Sequence, residues 1–146
     1  MKFTYIGIFI ILSIFTFILV LETCEPVLKP SFTSKKLISS KGEALYINSI
    51  NWGVTDDSQL SSISKNQKKL REISDSSGAI EGLDPFIYSF KDDSLNLFFN
   101  GEVSYAVPDS FRSIKITYHA LSREQWEKLV HMALENNRYH TVPSRP

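Results

Sequence analysis

The side chains that could do chemistry are few. His119, His131 and His140 are the three imidazoles of the chain. His131 stands four residues from both Glu127 and Glu135. On a helix these three share one face and could offer nitrogen and oxygen ligands to a metal. The same pattern arises on any solvated helix face, and nothing brings His119 or His140 to His131, so no metal site is expected. Asp56-Asp57 and Asp92-Asp93 are paired carboxylates. Acid–base catalysis needs two carboxyls in different environments, whereas adjacent aspartates between strand patterns follow from turn chemistry alone. The serines form no G-x-S-x-G elbow, and no P-loop or dinucleotide glycine pattern occurs. No catalytic or cofactor-binding residue is expected.

Two features point instead to binding. Lys65, Lys68, Lys69 and Arg71 form a basic cluster that could meet lipid headgroups or an anionic envelope polymer; a solvated loop is the simpler reading. Trp52-Gly53 could present a recognition aromatic, but a core tryptophan closing a strand is the simpler reading. The formal net charge is +0 over 146 residues. Without a basic excess, nucleic acid is not an expected partner. Cys24 is the single cysteine, so no intrachain disulfide can staple the fold.

The N-terminus supplies location. Phe3 to Leu21 is rich in Ile, Phe and Leu and carries no charge. As a helix it would span roughly 28 Å, close to the hydrocarbon core of a bilayer. It exceeds the apolar run of a cleavable signal and lacks an A-x-A close. Residues 1–24 therefore read as a retained membrane anchor or signal segment. Leu21-Glu22-Thr23-Cys24 resembles a bacterial lipobox in the leucine three residues before the cysteine. It departs at Glu22, and at Thr23, where Gly, Ala or Ser is usual. Lipidation of Cys24 is thus the alternative anchor. Lys29, Lys35 and Lys36 follow the segment and oppose a simple positive-inside count, yet the two-residue tail before it has little to translocate. The body is expected outside the cytoplasm.

The elements that would position any site come next. Residues 25–41 read as a spacer, with Pro26 and Pro30 against helix. Residues 42–140 read as a β-rich soluble domain, and 141–146, with Pro143 and Pro146, as a tail. Ala44–Trp52 has strand character, Gln59–Ser64 is a short strand, and 64–82 is a long loop with one helical turn. Phe86, Tyr88 and Phe90, then Leu95, Leu97 and Phe99, alternate with period two. A two-residue turn at Asp92-Asp93, or a four-residue one, opposes Phe90 to Leu95 and Tyr88 to Leu97. Val103, Tyr105 and Val107 read as a third strand, joined through a bulged turn in which Gly101 has positive φ and Leu97 faces Val103. Ile114, Ile116 and Tyr118 give another strand. Ser122 and Gln125 fit a capping box, and Trp126, Leu129, Val130, Ala133 and Leu134 form a helical stripe from about Arg123 to Asn137. The fold class is α+β: a mainly antiparallel sheet with one C-terminal amphipathic helix on its apolar face, preceded by an N-terminal transmembrane helix.

The stretch Ile47-Asn48-Ser49-Ile50-Asn51-Trp52-Gly53-Val54-Thr55, with Ile63-Ser64, Pro85-Phe86-Ile87-Tyr88 and Asp93-Ser94-Leu95, resembles small exported, membrane-anchored or lipoprotein-like bacterial proteins of unknown function. The resemblance implies an envelope location and a β-rich domain, and it carries no site residues. The expected role is a membrane-anchored, non-catalytic domain that binds a protein or polymer of the cell envelope, or supports it. An envelope hydrolase using His119 or His131 beside an Asp or Ser, and an inhibitor or immunity protein against an exported toxin, are the alternatives.

Overall fold

Strand β1 (Ser31–Ile38) turns at Gly42 into β2 (Ala44–Trp52), which pairs with β3 (Ser58–Ser64) and through it with the two-residue β4 (Ile80–Glu81). This is the first sheet, antiparallel throughout in the order β1-β2-β3-β4. The second sheet holds β5 (Phe86–Lys91), β6 (Ser94–Asn100), β7 (Lys115–Leu121) and β8 (His140–Val142), in the order β7-β6-β5-β8. Helix α1 spans Arg123–Glu135. The computed structural model describes residues 30–53 and 58–142. Phe3–Leu21, Cys24, Asp56-Asp57, Pro143 and Pro146 lie outside the described residues. No helix among the described residues is long and apolar enough to cross a membrane. The body is α+β, mainly antiparallel sheet with one C-terminal helix.

The β5–β6 hairpin follows the alternation closely. Asp92 (φ 49°) and Asp93 (φ 57°) are both left-handed, the signature of a two-residue type I′ turn. Lys91 pairs with Ser94, Phe90 with Leu95 and Tyr88 with Leu97, as expected. Their apolar row faces the first sheet. Phe86, Tyr88, Leu95, Leu97 and Phe99 pack with Leu45, Ile47 and Ile63 into one core. The layers form a sandwich, because each sheet can bury its apolar face only against another.

Four expectations are corrected. Residues 31–38, assigned to the spacer, form β1: Leu37 joins the core, and the full length pairs with β2. The third strand at Val103–Val107 does not form, and Leu97 faces Tyr118 rather than Val103. Gly101 has the expected positive φ (81°), but its N–H donates to the carbonyl of Leu121 (2.9 Å) and the chain leaves the sheet. Pro108 has no N–H for a ladder. Tyr105 docks on the first sheet instead, its hydroxyl accepting from Ile63 N (3.0 Å) and donating to Ile63 O (3.5 Å). The Tyr118 hydroxyl accepts from Val107 N at 3.0 Å. Residues 101–114 thus make the long crossover that a parallel pair requires, and β7 lies parallel to β6. Third, Thr141 and Val142, placed in the tail, belong to β8 beside β5. Fourth, the helix does not cover the main apolar row. That row faces the first sheet, and α1 packs across the opposite face of the second sheet.

The capping box forms: Ser122 Oγ accepts from Gln125 N (3.3 Å), and Gln125 Oε1 accepts from Ser122 N (2.9 Å). Of the stripe, Leu129 is buried, Trp126, Val130 and Ala133 are half-buried, and Leu134 is 62% exposed. The helix stops at Glu135, with the Asn136 N–H on Met132 O.

Candidate functional site

The inward face of the first sheet is graded. At one end lie Leu37, Leu45 and Ile63, all in the core. At the other, register sets Thr33 beside Ser49 and Ser49 beside Ser61. Polar side chains there cannot join the aromatic packing, so the sandwich stays open along that flank. β1 and β8, the edge strands of the two sheets, bound a cleft of about 180 Å³. Thr33 and Lys35 line it from β1, Ile47 and Ser49 from β2, Tyr88 from β5, and His140 with Val142 from β8.

Register places His140 opposite Tyr88, and their rings lie 5.0 Å apart at 33°. Burial, and then the Lys35 charge, lower the His140 pKa from its ordinary 6.5, so the ring is neutral at pH 7. Burial raises the Tyr88 phenol to about 12, so it keeps its proton. Ser49 Oγ shares a 3.0 Å hydrogen bond with Ser61 Oγ, which also accepts from Gln59 Nε2 at 3.0 Å. Lys35 is the charged residue of the lining, and no carboxylate lines it. The donor set is hydroxyls, an ammonium and a neutral imidazole. It suits hydrogen bonding to an electron-rich group and holds no acid–base carboxyl pair.

The carboxylates are used to join the two sheets. Glu43, in the β1–β2 turn, accepts from Arg112 N (2.9 Å), Ser113 N (2.6 Å) and Ser113 Oγ (2.8 Å). Those bonds, with Lys65 Nζ 3.6 Å away, hold its pKa at about 2. Asp93 of the β5–β6 turn accepts from Ser40 N (2.6 Å) and Ser40 Oγ, which lowers its pKa. The same turn chemistry that favours Asp92-Asp93 therefore also fastens the first sheet to the second.

The other expected residues are dispersed. His119 lies on the face of the second sheet away from the core, stacked on Phe98 (4.8 Å) and 3.2 Å from Asn96 Oδ1. His131 is exposed on α1, with Nδ1 3.2 Å from Glu135 Oε1, while Glu127 is engaged by Arg123 at 3.0 Å. No group of three His, Cys, Asp or Glu side chains among the described residues could hold a metal ion. The basic cluster is split. Lys65 lies 5.2 Å from the Phe111 ring and beside Glu43, and Lys69 binds Asp75 at 2.6 Å. Lys68 and Arg71 are exposed on the loop. Trp52 closes β2 and packs on the second core of Ile50, Leu60 and Leu70.

Sequence reasoning missed Thr33, Lys35, Ser49 and Tyr88 as a group. Tyr88 was legible as an inward strand residue. Thr33 and Lys35 were hidden by the spacer assignment, although Phe32, Thr33, Leu37 and Ile38 lie on a proline-free run that leads into a Ser-Ser-Lys-Gly turn. Comparison with protein families, with characterised proteins and with solved structures finds no match for this chain.

Proposed function

We propose that this chain is a binding domain held at a membrane by residues 1–24, with its body outside the cytoplasm, and that its partner engages the flank between β1 and β8. The reading rests on one observation above all. The strongly hydrogen-bonded carboxylate Asp93 fastens the two sheets together and Glu43 holds the crossover, while the polar side of the cleft is made of Lys35, hydroxyls, Tyr88 and a neutral His140, beside Ile47 and Val142. That is a surface for holding a partner rather than for breaking bonds. The apolar run Phe3–Leu21 supplies the tether, with lipidation of Cys24 as the alternative anchor.

Two measurements test this. The intact mass of protein extracted from membranes distinguishes a retained Met1-containing anchor, a lipidated Cys24 and a cleaved product; recovery of cleaved, soluble chain alone removes the tether. A photo-crosslinking residue at position 33 of the full chain, in cells, should capture one partner. The same residue at Glu124, on the far helix, should not. Equal capture from both positions, or none from position 33, removes the binding flank.

A further inference from the structure

The geometry points to a specific occupant for that flank: an extended, acidic segment of another protein, added as a strand beside β1. This deepens the proposed binding role and rests on it. Among the described residues β1 pairs with β2 on one side and with no strand on the other. It is eight residues long, which makes a long open edge for backbone hydrogen bonds. An added strand continues the alternation of the sheet, so every second side chain would enter the cleft beside Lys35 and His140. At about 180 Å³ the cleft suits side chains; small-molecule pockets run to about 300–1,000 Å³.

Charge decides the partner. β1 carries Lys35 and Lys36 and no acidic residue, and no carboxylate lines the cleft. A second copy of β1 in antiparallel pairing would gather both lysine pairs at the centre of the joint, and like charges across a strand pair repel. Self-pairing is thereby opposed, and an acidic strand is favoured. Lys36 lies 6.0 Å from the Tyr46 ring and Lys35 is exposed, so neither is tied up in an ion pair among the described residues.

The test uses the full chain in neutral detergent and an end-capped eight-residue peptide alternating Glu with Val. Controls are a Lys–Val peptide and the Glu–Val peptide N-methylated at alternate amides. The Glu–Val peptide should bind and slow hydrogen exchange across residues 31–38. The Lys–Val peptide should not bind, and N-methylation should abolish the effect. Lys35→Glu/Lys36→Glu should weaken Glu–Val binding by at least about tenfold at low salt, with an unchanged melting temperature to show that the fold survives. Unchanged exchange in β1, equal binding of both peptides, or indifference to the charge reversal overturns the proposal. Peptide failure alongside capture from position 33 removes the strand and leaves the binding role; failure of both removes the two together.

Discussion

The two sheets spend their side chains differently. On the second sheet, Phe86, Tyr88, Leu95, Leu97 and Phe99 make an unbroken apolar row against the first sheet, and the reverse face lies beneath α1. On the first sheet, β2 and β3 are buried on both faces, yet Asn48, Ser49, Gln59, Ser61 and Ser62 sit among the buried residues. Its outer face carries a separate small core of Ile50, Leu60 and Leu70 under the 65–79 loop. Asn48 serves that loop, accepting from Ser34 Oγ (2.7 Å) and donating to Asn66 O (2.9 Å). Hydrophobic burial is non-directional, and the second sheet forms an apolar frame. Buried polar groups need partners bond by bond, and here Gln59 Oε1 and Ser62 Oγ have none among the described residues; the inward polar row of Thr33, Ser49 and Ser61 runs to the flank where β1 is the edge strand. The apolar frame and the open flank are therefore separate parts of one sandwich.

Breaking the frame should cost most. Phe99→Ala removes a fully buried ring that packs 6.0 Å from Phe86, and urea unfolding should show a loss of about 3–5 kcal/mol. The small core should be weaker ground. Leu70 is fully buried with φ of 65°, an uncommon conformation for a branched side chain. Leu70→Ala should cost about 2–4 kcal/mol. Leu70→Gly should cost no more, because glycine relieves about 1–2 kcal/mol of left-handed strain. A clearly larger loss in the glycine variant would contradict that account of the loop. In the polar row, Ser61→Ala leaves Ser49 and Gln59 without their shared partner and should cost about 1–3 kcal/mol by the same unfolding measurement.

The joint between the sheets should respond to acid. The Glu43 pKa falls from 4.5 to about 2 on folding. Its contribution is present above pH 4.5 and is lost as the pH drops from 4.5 towards 2. Melting temperature should therefore decline through that window, and Glu43→Gln should flatten the decline while lowering stability at neutral pH. An identical pH profile in the variant would show that Glu43 does not clamp the turn. The smallest expected effect is at the helix: Ser122→Ala removes the cap and should cost about 1 kcal/mol, without altering exchange in β1.

The difference between the sheets also explains what could be read from the sequence. The register of the β5–β6 hairpin was legible, because a period-two apolar row and a turn centred on Asp92-Asp93 agree. The helix was legible from Ser122 and Gln125. The fate of Val103–Val107 was not. Its alternation suits a strand, but Tyr105 finds its partner on Ile63, forty-two residues earlier, a tertiary bond with no local signal. β1 was hidden for a related reason: its inward Thr33 and Lys35 face a polar cleft, so the apolar alternation that marks a half-buried strand is missing. The cleft escaped reading for the same cause. Its residues come from four strands, and the pairing of β1 with β2 and of β5 with β8, together with the packing of the two sheets, brings them together.

Hydrogen exchange on the full chain tests this division of labour most directly, by comparing protein taken freshly from cells together with its partners with the same protein purified free of other components. The account predicts that β5 and β6 exchange slowly and alike in both samples, while β1 is markedly more protected in the fresh sample and loses that protection on purification. Equal protection of β1 in the two samples, matching that of β6, would contradict it.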